Sequence, residues 1–176
     1  MKKVRIILNN NEFKNGNIIN LDLYEDIAPI SVNNFLKLVK EKYYDNTIFH
    51  RVIASFMIQG GGYYIDDNAL KEKGKLEPIK GEFKSNGVLN NLKHELGVIS
   101  MARTSIKDSA TSQFFLCVDN CNHLDGEYAG FGKASDEKSK ALIKEISEVD
   151  TGYLSPMFAD FPYNVISINT IEIIEE

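Results

Sequence analysis

The feature that most constrains this chain is its rhythm of short apolar runs, each broken by a turn signal before it reaches helical length. Runs over Val4–Leu8, Ile18–Leu23, Phe49–Ile53, Phe56–Gly60, Val98–Met101, Phe114–Val118, Ala129–Gly132 and Val165–Ile173 predict about eight strands. So many short strands have to dispose of the sheet's two edges, and a closed antiparallel barrel does so by pairing the first strand with the last. A two-sheet sandwich meets the same pattern, and composition does not separate the two.

Two segments carry the helical period instead. Between Pro29 and Tyr43 the residues Val32, Phe35, Leu36 and Val39 fall on one face, with Lys37 and Lys40 off it. Pro29 suits a first turn, where its missing N–H is no loss. A second helix is predicted from Ser135 as N-cap, with Asp136 and Glu137 in the first turn and Leu142, Ile146 and Val149 on one face, ending near Thr151-Gly152. Two stretches, Tyr63 to Asn91 and Arg103 to Thr111, are longer than ordinary hairpin loops, which makes them candidates for function.

With 176 residues, 43% of them hydrophobic, and no repeat or linker, one core and one domain over 1–176 are expected. A net charge of −5 with scattered lysines and arginines leaves no basic stripe, so nucleic acid is not expected as a partner. The basic start Met1-Lys2-Lys3 is followed by an apolar run that stops at Asn9, too short for a signal peptide, and no run approaches the roughly 20 apolar residues of a membrane span. A cytoplasmic monomer without a membrane partner is the expectation. Cys117 and Cys121, spaced C-x-x-x-C, form neither a disulfide framework nor a redox or zinc motif; Cys117 reads as inert and Cys121, in the Asp119–His123 turn, as the more exposed. His50, His94, His123 and Cys121 share no ligand spacing, so neither a metal nor a cofactor is assigned. Gly60-Gly61-Gly62 lacks the G-K-[ST] of a phosphate loop, and Asp108, Asp125 and Asp136 read as turn and cap residues.

The densest chemistry lies in Phe49-His50-Arg51-Val52-Ile53-Ala54-Ser55-Phe56-Met57-Ile58-Gln59-Gly60-Gly61. Strand alternation puts Arg51 on a face with Phe49 and Ile53, and Met57 with Gln59 opposite Phe56 and Ile58, with a kink at Ala54-Ser55 resetting the phase. In Ser112-Gln113-Phe114-Phe115-Leu116-Cys117 the same period separates Phe114 and Leu116, as core, from Gln113, Phe115 and Cys117. Leu124-Asp125-Gly126 is a turn running into the Gly-rich strand Ala129-Gly130-Phe131-Gly132.

Taken together, F-H-R-V-I-x-x-F-M-I-Q-G-G, G-V-I-S-M-A-R, S-Q-F-F and L-D-G-x-x-x-x-F-G-K resemble the cyclophilins, in order and at family-like spacing over Ile48–Lys133. The A-P-x-x-V-x-N-F-L helix around Ala28–Leu36 fits as well, and Pro78–Gly97 and Met101-Ala102-Arg103 look like bacterial members. The resemblance implies an eight-stranded antiparallel closed β-barrel capped by two α-helices, with the groove on its outer surface. It implies a peptidyl-prolyl cis/trans isomerase assisting protein folding, with proline-containing peptides and unfolded or flexible polypeptides as partners. By position Arg51 matches the family's catalytic arginine; Phe56, Met57, Phe115 and Leu124 the proline pocket; Gln59 and Gln113 its polar residues; and Ala102 and Arg103 the strand that pairs with the peptide. His123 stands where many members have a large aromatic, which implies weakened cyclosporin binding, and Tyr128 where vertebrate members have His. Tyr63–Ala69 replaces the usual Thr/Gly-rich loop, and Asp150–Phe161 looks like an insertion; both bear on substrate choice. Two other readings stand beside the enzyme: a module that merely captures proline-containing segments, and a barrel that carries an apolar ligand inside. The second requires an interior that Ile58, Phe114 and Leu116 would instead fill.

Overall fold

The computed structural model describes residues 1–175. The strands are β1 (Lys2–Leu8), β2 (Ile18–Leu23), β3 (Thr47–Ile53), β4 (Met57–Asp66), β5 (Ala69–Glu72), β6 (Val98–Met101), β7 (Phe114–Cys117), β8 (Gly130–Ala134), β9 (Thr151–Gly152), β10 (Phe161–Pro162) and β11 (Ile168–Glu175), with helices α1 (Pro29–Lys40) and α2 (Glu137–Ser147). Antiparallel pairing runs β11-β1-β2-β8-β6-β7-β4-β3, so the eight predicted strands are all present and share one curled sheet. The expectation of a closed barrel needs correction at the seam. Between β3 and the lead-in to β11 there is no ladder; an isolated Ile48–Ser167 bridge and the bonds Phe49 N–H to Ile166 O (2.9 Å) and Asn46 N–H to Ile168 O (2.7 Å) join the ends. The strands splay there because β3 is irregular, as described below.

The interior is filled, which excludes an internal carrier. Phe49, Ile58, Phe114, Leu116 and Phe131 are buried in the main core, and Phe35 of α1 packs on Phe114 and Phe131 at centroid distances of 5.7 and 5.4 Å. Edge-to-face packing of such rings adds to their area burial. Helix α1 closes one end with Val32, Phe35, Leu36 and Val39, and α2 the other with Leu142, Ile143 and Ile146. The cap of α2 is Asp136 and not Ser135: its carboxylate accepts the Ser139 N–H at 2.7 Å, while Ser135 Oγ turns to Asp22. The helix stops at Ser147, since Thr151-Gly152 is taken up in β9.

Two segments set apart in the chain, one as a variant loop and one as an insertion, form strand pairs. The Tyr63–Ala69 segment is a hairpin: β4 continues to Asp66, turns at Asp67 and Asn68 with φ of +50° and +59°, and returns as β5. Successive left-handed residues make the turn that matches strand twist. The Asp150–Phe161 segment contains the β9–β10 ribbon.

Helix α1 has no local cap, since Ala28 offers no side chain for its N–H groups. The buried carboxylate of Glu82 does that work from the long loop, accepting Ser31 N–H (2.6 Å), Ser31 Oγ–H (2.7 Å) and Ile30 N–H (3.2 Å). An anion at a helix N-terminus is favoured by the aligned peptide dipoles. This pins the loop carrying Phe83, on which Arg103 of the cleft packs, to the helix that plugs the barrel. Glu82→Ala should therefore lower unfolding free energy by about 2 kcal/mol in urea titrations; an unchanged midpoint would show that water replaces the carboxylate.

Candidate active site

Alternation alone would send Arg51 to the same face as Phe49, into the core. It does not go there. The β3–β4 register pairs Phe49 with Gly60 and Arg51 with Gln59, so His50 is an extra residue on β3, a β-bulge that rotates the strand. Phe49 and Val52 stay inside while Arg51 emerges exposed beside Ile53 on the outer face. Phe56 departs from expectation for a related reason. Ser55 adopts φ +64°, and this turn places Phe56 outside the strand, against the same outer cluster as Met57 and not beside Ile58. In β7 the alternation holds: Phe114 and Leu116 enter the main core, Phe115 and Cys117 the outer cluster.

These elements build a cleft of about 150 Å³ lined by Arg51, Phe56, Met57, Gln59, Ala102, Arg103, Phe115, Leu124 and Tyr128. That is below the roughly 300 Å³ at which pockets for whole small molecules begin, and suits one side chain of a polypeptide lying across the surface. The floor is apolar and buried (Met57, Phe115, Leu124), and the Arg51 guanidinium stands at the rim. It donates to Gln59 Oε1 at 3.4 Å and lies 6.0 Å from the Phe56 ring centroid, while Gln59 Nε2 donates to Gln113 Oε1 at 2.9 Å. Gln113 thus braces the wall from one step behind, and His123 stands at the outer edge with its ring 5.5 Å from Phe56.

The glycine run explains how these groups fit. A Cβ on Gly62 would lie 2.6 Å from the Gln113 side chain, one on Gly61 (φ +89°) 2.9 Å from Tyr44, and one on Gly60 2.7 Å from Ile48 O. The run is a bed for neighbouring chains. Arg103, placed in the peptide-pairing strand, uses its side chain otherwise: the guanidinium sits 4.5 Å from Tyr128 and 4.9 Å from Phe83, and donates to the Glu127 carbonyl at 2.7 and 3.1 Å. It fixes the Tyr128 wall. Ala102 N–H is engaged by Gln113 O at 3.0 Å, and among the described residues the Ala102 carbonyl and Arg103 N–H have no backbone partner.

Three further residues hold the floor. His94, 1% exposed, stacks on Phe115 with centroids 6.0 Å apart; its Nδ1 lies 3.0 Å from Asp125 Oδ1 and its Nε2 2.9 Å from Ser100 Oγ. Burial lowers the His94 pKa against the pull of Asp125. For Asp125, burial acts upward, but the His94 N–H and ring outweigh it and hold the carboxyl below the usual range. No local pattern links residues 94, 100 and 125, so only folding could reveal the set. Cys121, expected to be the more exposed thiol, is buried: its turn tucks under Phe56, whose carbonyl accepts the Sγ–H at 3.4 Å. Burial raises the pKa of both thiols, which makes them poor nucleophiles. No group of three metal-ligating side chains gathers among the described residues.

The family model described as cyclophilin type peptidyl-prolyl cis-trans isomerase/CLD matches residues 5–173. The chain belongs to this family. A peptidyl-prolyl cis-trans isomerase of Acinetobacter baylyi is 43% identical over 163 residues, covering 90% of this chain and 80% of that protein. Peptidyl-prolyl cis-trans isomerase A of Dickeya dadantii is 45% identical over 92% of this chain and 81% of its own length. Peptidyl-prolyl cis-trans isomerase B of Escherichia coli is 38% identical over 91% and 95%. Among solved structures, a Cryptosporidium parvum cyclophilin determined with the dipeptide Ala-Pro superposes with a TM-score of 0.75 at 28% identity, covering 99% of both chains. The mainly β cyclophilin fold and the isomerase class expected from the motifs both stand, and the likeness to bacterial members agrees with these relatives.

The bulge residue carries a testable consequence. His50 is 5% exposed, packed on Tyr63 (4.7 Å) and Phe158 (5.9 Å), and its Nδ1 has no hydrogen-bond partner. Burial, then the Arg51 charge, lowers its pKa to about 4. The fold holds it neutral while the unfolded chain protonates it near 6.5, so its contribution is intact above pH 6.5 and is lost as pH falls through 4. Urea titrations at pH 7 and 4.5 should show that His50→Leu removes about 2–3 kcal/mol of the acid-induced loss; the same loss in the variant would place its origin elsewhere.

Proposed function

We propose that Arg51 catalyses rotation about X-Pro bonds of polypeptides by stabilising the twisted amide at the prolyl nitrogen. Rotation must cross a barrier of about 18–20 kcal/mol set by amide resonance. Breaking that resonance returns a lone pair to the nitrogen, so a donor aimed there binds the twisted state better than either planar one and lowers the barrier. No bond to the substrate is made or broken, which accords with a cleft whose charged side chains, among the described residues, are Arg51 and Arg103. Of these, Arg103 is tied to the Glu127 carbonyl, and Arg51 is exposed at the rim.

The observation that carries this reading is the Arg51 guanidinium at the mouth of a recess of about 150 Å³ with an apolar floor, which has room for a pyrrolidine ring. Phe56, Met57, Phe115 and Leu124 hold the ring, Tyr128 closes the far wall, and Gln59, braced by Gln113, orients Arg51 and meets the substrate amide. The Ala102 carbonyl and Arg103 N–H offer an extended peptide one acceptor and one donor. Fixing one side of the bond leaves the other free to rotate. Flexible or unfolded proline-containing chains are the substrates this open cleft admits, and the two free thiols Cys117 and Cys121 suit a reducing compartment such as the cytosol.

NMR exchange on a short X-Pro peptide should show Arg51→Ala lowering kcat/KM by about 10²–10³ with the amide spectrum of the folded protein retained. Wild-type activity surviving in that variant would overturn the role of Arg51, and a folded wild type without activity would leave a proline-binding module. Replacing His123 with Trp should tighten cyclosporin about tenfold in titration calorimetry, the worth of one added ring contact on Phe56; unchanged affinity would remove position 123 from the ligand-binding surface.

A further inference from the structure

The Asp150–Tyr163 segment presents large apolar side chains to water on a mount that does not need them. At the tip of the β9–β10 ribbon Tyr153, Leu154 and Met157 are 70%, 58% and 73% exposed, and at its base, just past β10, Tyr163 is 72% exposed. The ribbon is anchored from below. Phe158 packs on His50, Tyr63 and Phe161, Pro162 is buried, and Val52 of β3 donates its N–H to Asp160 O at 3.0 Å. The tip is closed by Leu154 N–H to Phe158 O and Phe158 N–H to Ser155 O, both 2.9 Å. The Tyr163 ring lies across Gly152, where even a Cβ would come within 2.6 Å, so the ring is held against the ribbon. Polar residues would complete such a turn equally well; clustered exposed apolar side chains on a rigid mount are the mark of a contact surface.

This shelf is continuous with the proline cleft. From Arg51 a line of side-chain contacts runs to Gln59 (3.4 Å), then Gln113 (2.9 Å), whose amide interacts with the Tyr63 hydroxyl; Tyr63 Oη–H in turn points to Met157 Sδ at 3.9 Å. Gln59 to Tyr63 is four steps of β4, about 13 Å at full extension and less where β4 bulges against Thr47–Phe49, or about three to four residues of an extended chain.

We propose that the shelf of Tyr153, Leu154 and Met157 docks an apolar side chain of the same polypeptide whose proline occupies the cleft, about three residues from that proline. This deepens the function proposed above and rests on it, naming the substrate class as chains with a large apolar residue near the proline. The shelf has no enclosing walls, so it suits a group already tethered by its proline, for which the second contact is intramolecular, and not a free small molecule.

The test compares a tetrapeptide centred on X-Pro with longer peptides carrying Leu or Ser three residues before or after the proline, using wild type and the Leu154→Ser/Met157→Ser double variant. Both residues are surface-exposed, so the variant is expected to fold. In wild type, the Leu peptide on one side should exceed its Ser counterpart in kcat/KM by about tenfold, the worth of covering one aliphatic side chain. The double variant should bring that ratio to one and leave the tetrapeptide rate unchanged. Equal rates for Leu and Ser peptides on both sides in wild type, or an equal fall on every peptide in the variant, would overturn the shelf. A tetrapeptide that wild type does not isomerise would instead overturn the function proposed for the cleft, while saturable Leu-dependent shifts of the Met157 methyl resonance would still report docking.

Discussion

Period two in a β-strand gives every second side chain to the core, so Phe49 and Arg51 on a regular strand would share a fate. The extra residue His50 separates them, and most of the molecule is arranged around that separation. Phe49 can reach Phe114, 6.1 Å away in the core, only if the strand keeps its inward phase at position 49. Arg51 can reach the outer surface only if the phase changes before position 51. The bulge bends β3, and β4 follows it closely through glycines whose missing side chains admit Ile48 O, Tyr44 and Gln113. The displaced imidazole then needs a roof, which Tyr63 and Phe158 supply, and that roof ties the β4–β5 hairpin and the β9–β10 ribbon to the active face.

The cleft is preorganised from behind. Three wall residues have a supporting partner that does not itself line the cavity: Phe115 leans on His94, which is fixed between Asp125 and Ser100; Phe56 takes a thiol hydrogen bond from Cys121; Gln59 is braced by Gln113. Tyr128 is held by Arg103, whose position in the motif suggested a peptide contact and whose guanidinium serves the wall. A reaction that needs only differential binding of a twisted amide gains most from walls that do not relax as the substrate turns. The same logic accounts for the buried polar groups: the ring and carboxyl of residues 94 and 125 satisfy each other and leave neither as an unpaired charge.

Much of this was legible along the chain, and the misses have definite causes. The strands and both helices followed from periodicity because burial on one face imposes it. The phase at Arg51 departs from simple alternation because the bulge at His50, which has no compositional mark, shifts it by one residue, whereas the kink expected at Ala54-Ser55 is present as a left-handed Ser55 and carries Phe56 to the Met57 side. The cap of α2 moved from Ser135 to Asp136 because adjacent oxygen-bearing residues compete for one N–H, and Ser135 had Asp22 to bind. The hairpin at Asp67-Asn68 did carry a signal, two residues that tolerate left-handed backbone between apolar-rich flanks.

By itself, then, the order of residues determined which segments become strands and helices, which aromatic residues face inward in β7, and which family motif supplies an arginine beside an apolar recess. Those are local or near-local properties, written in spacing that the chain carries before it folds. Tertiary structure alone decided that Glu82 caps a helix 51 residues away, that His94 finds Asp125 and Ser100, and that an apolar ribbon tip lies at the end of the line of contacts from Arg51. Such pairings are chosen by which unsatisfied donors and exposed rings meet when the sheet curls, and curvature depends on every strand at once.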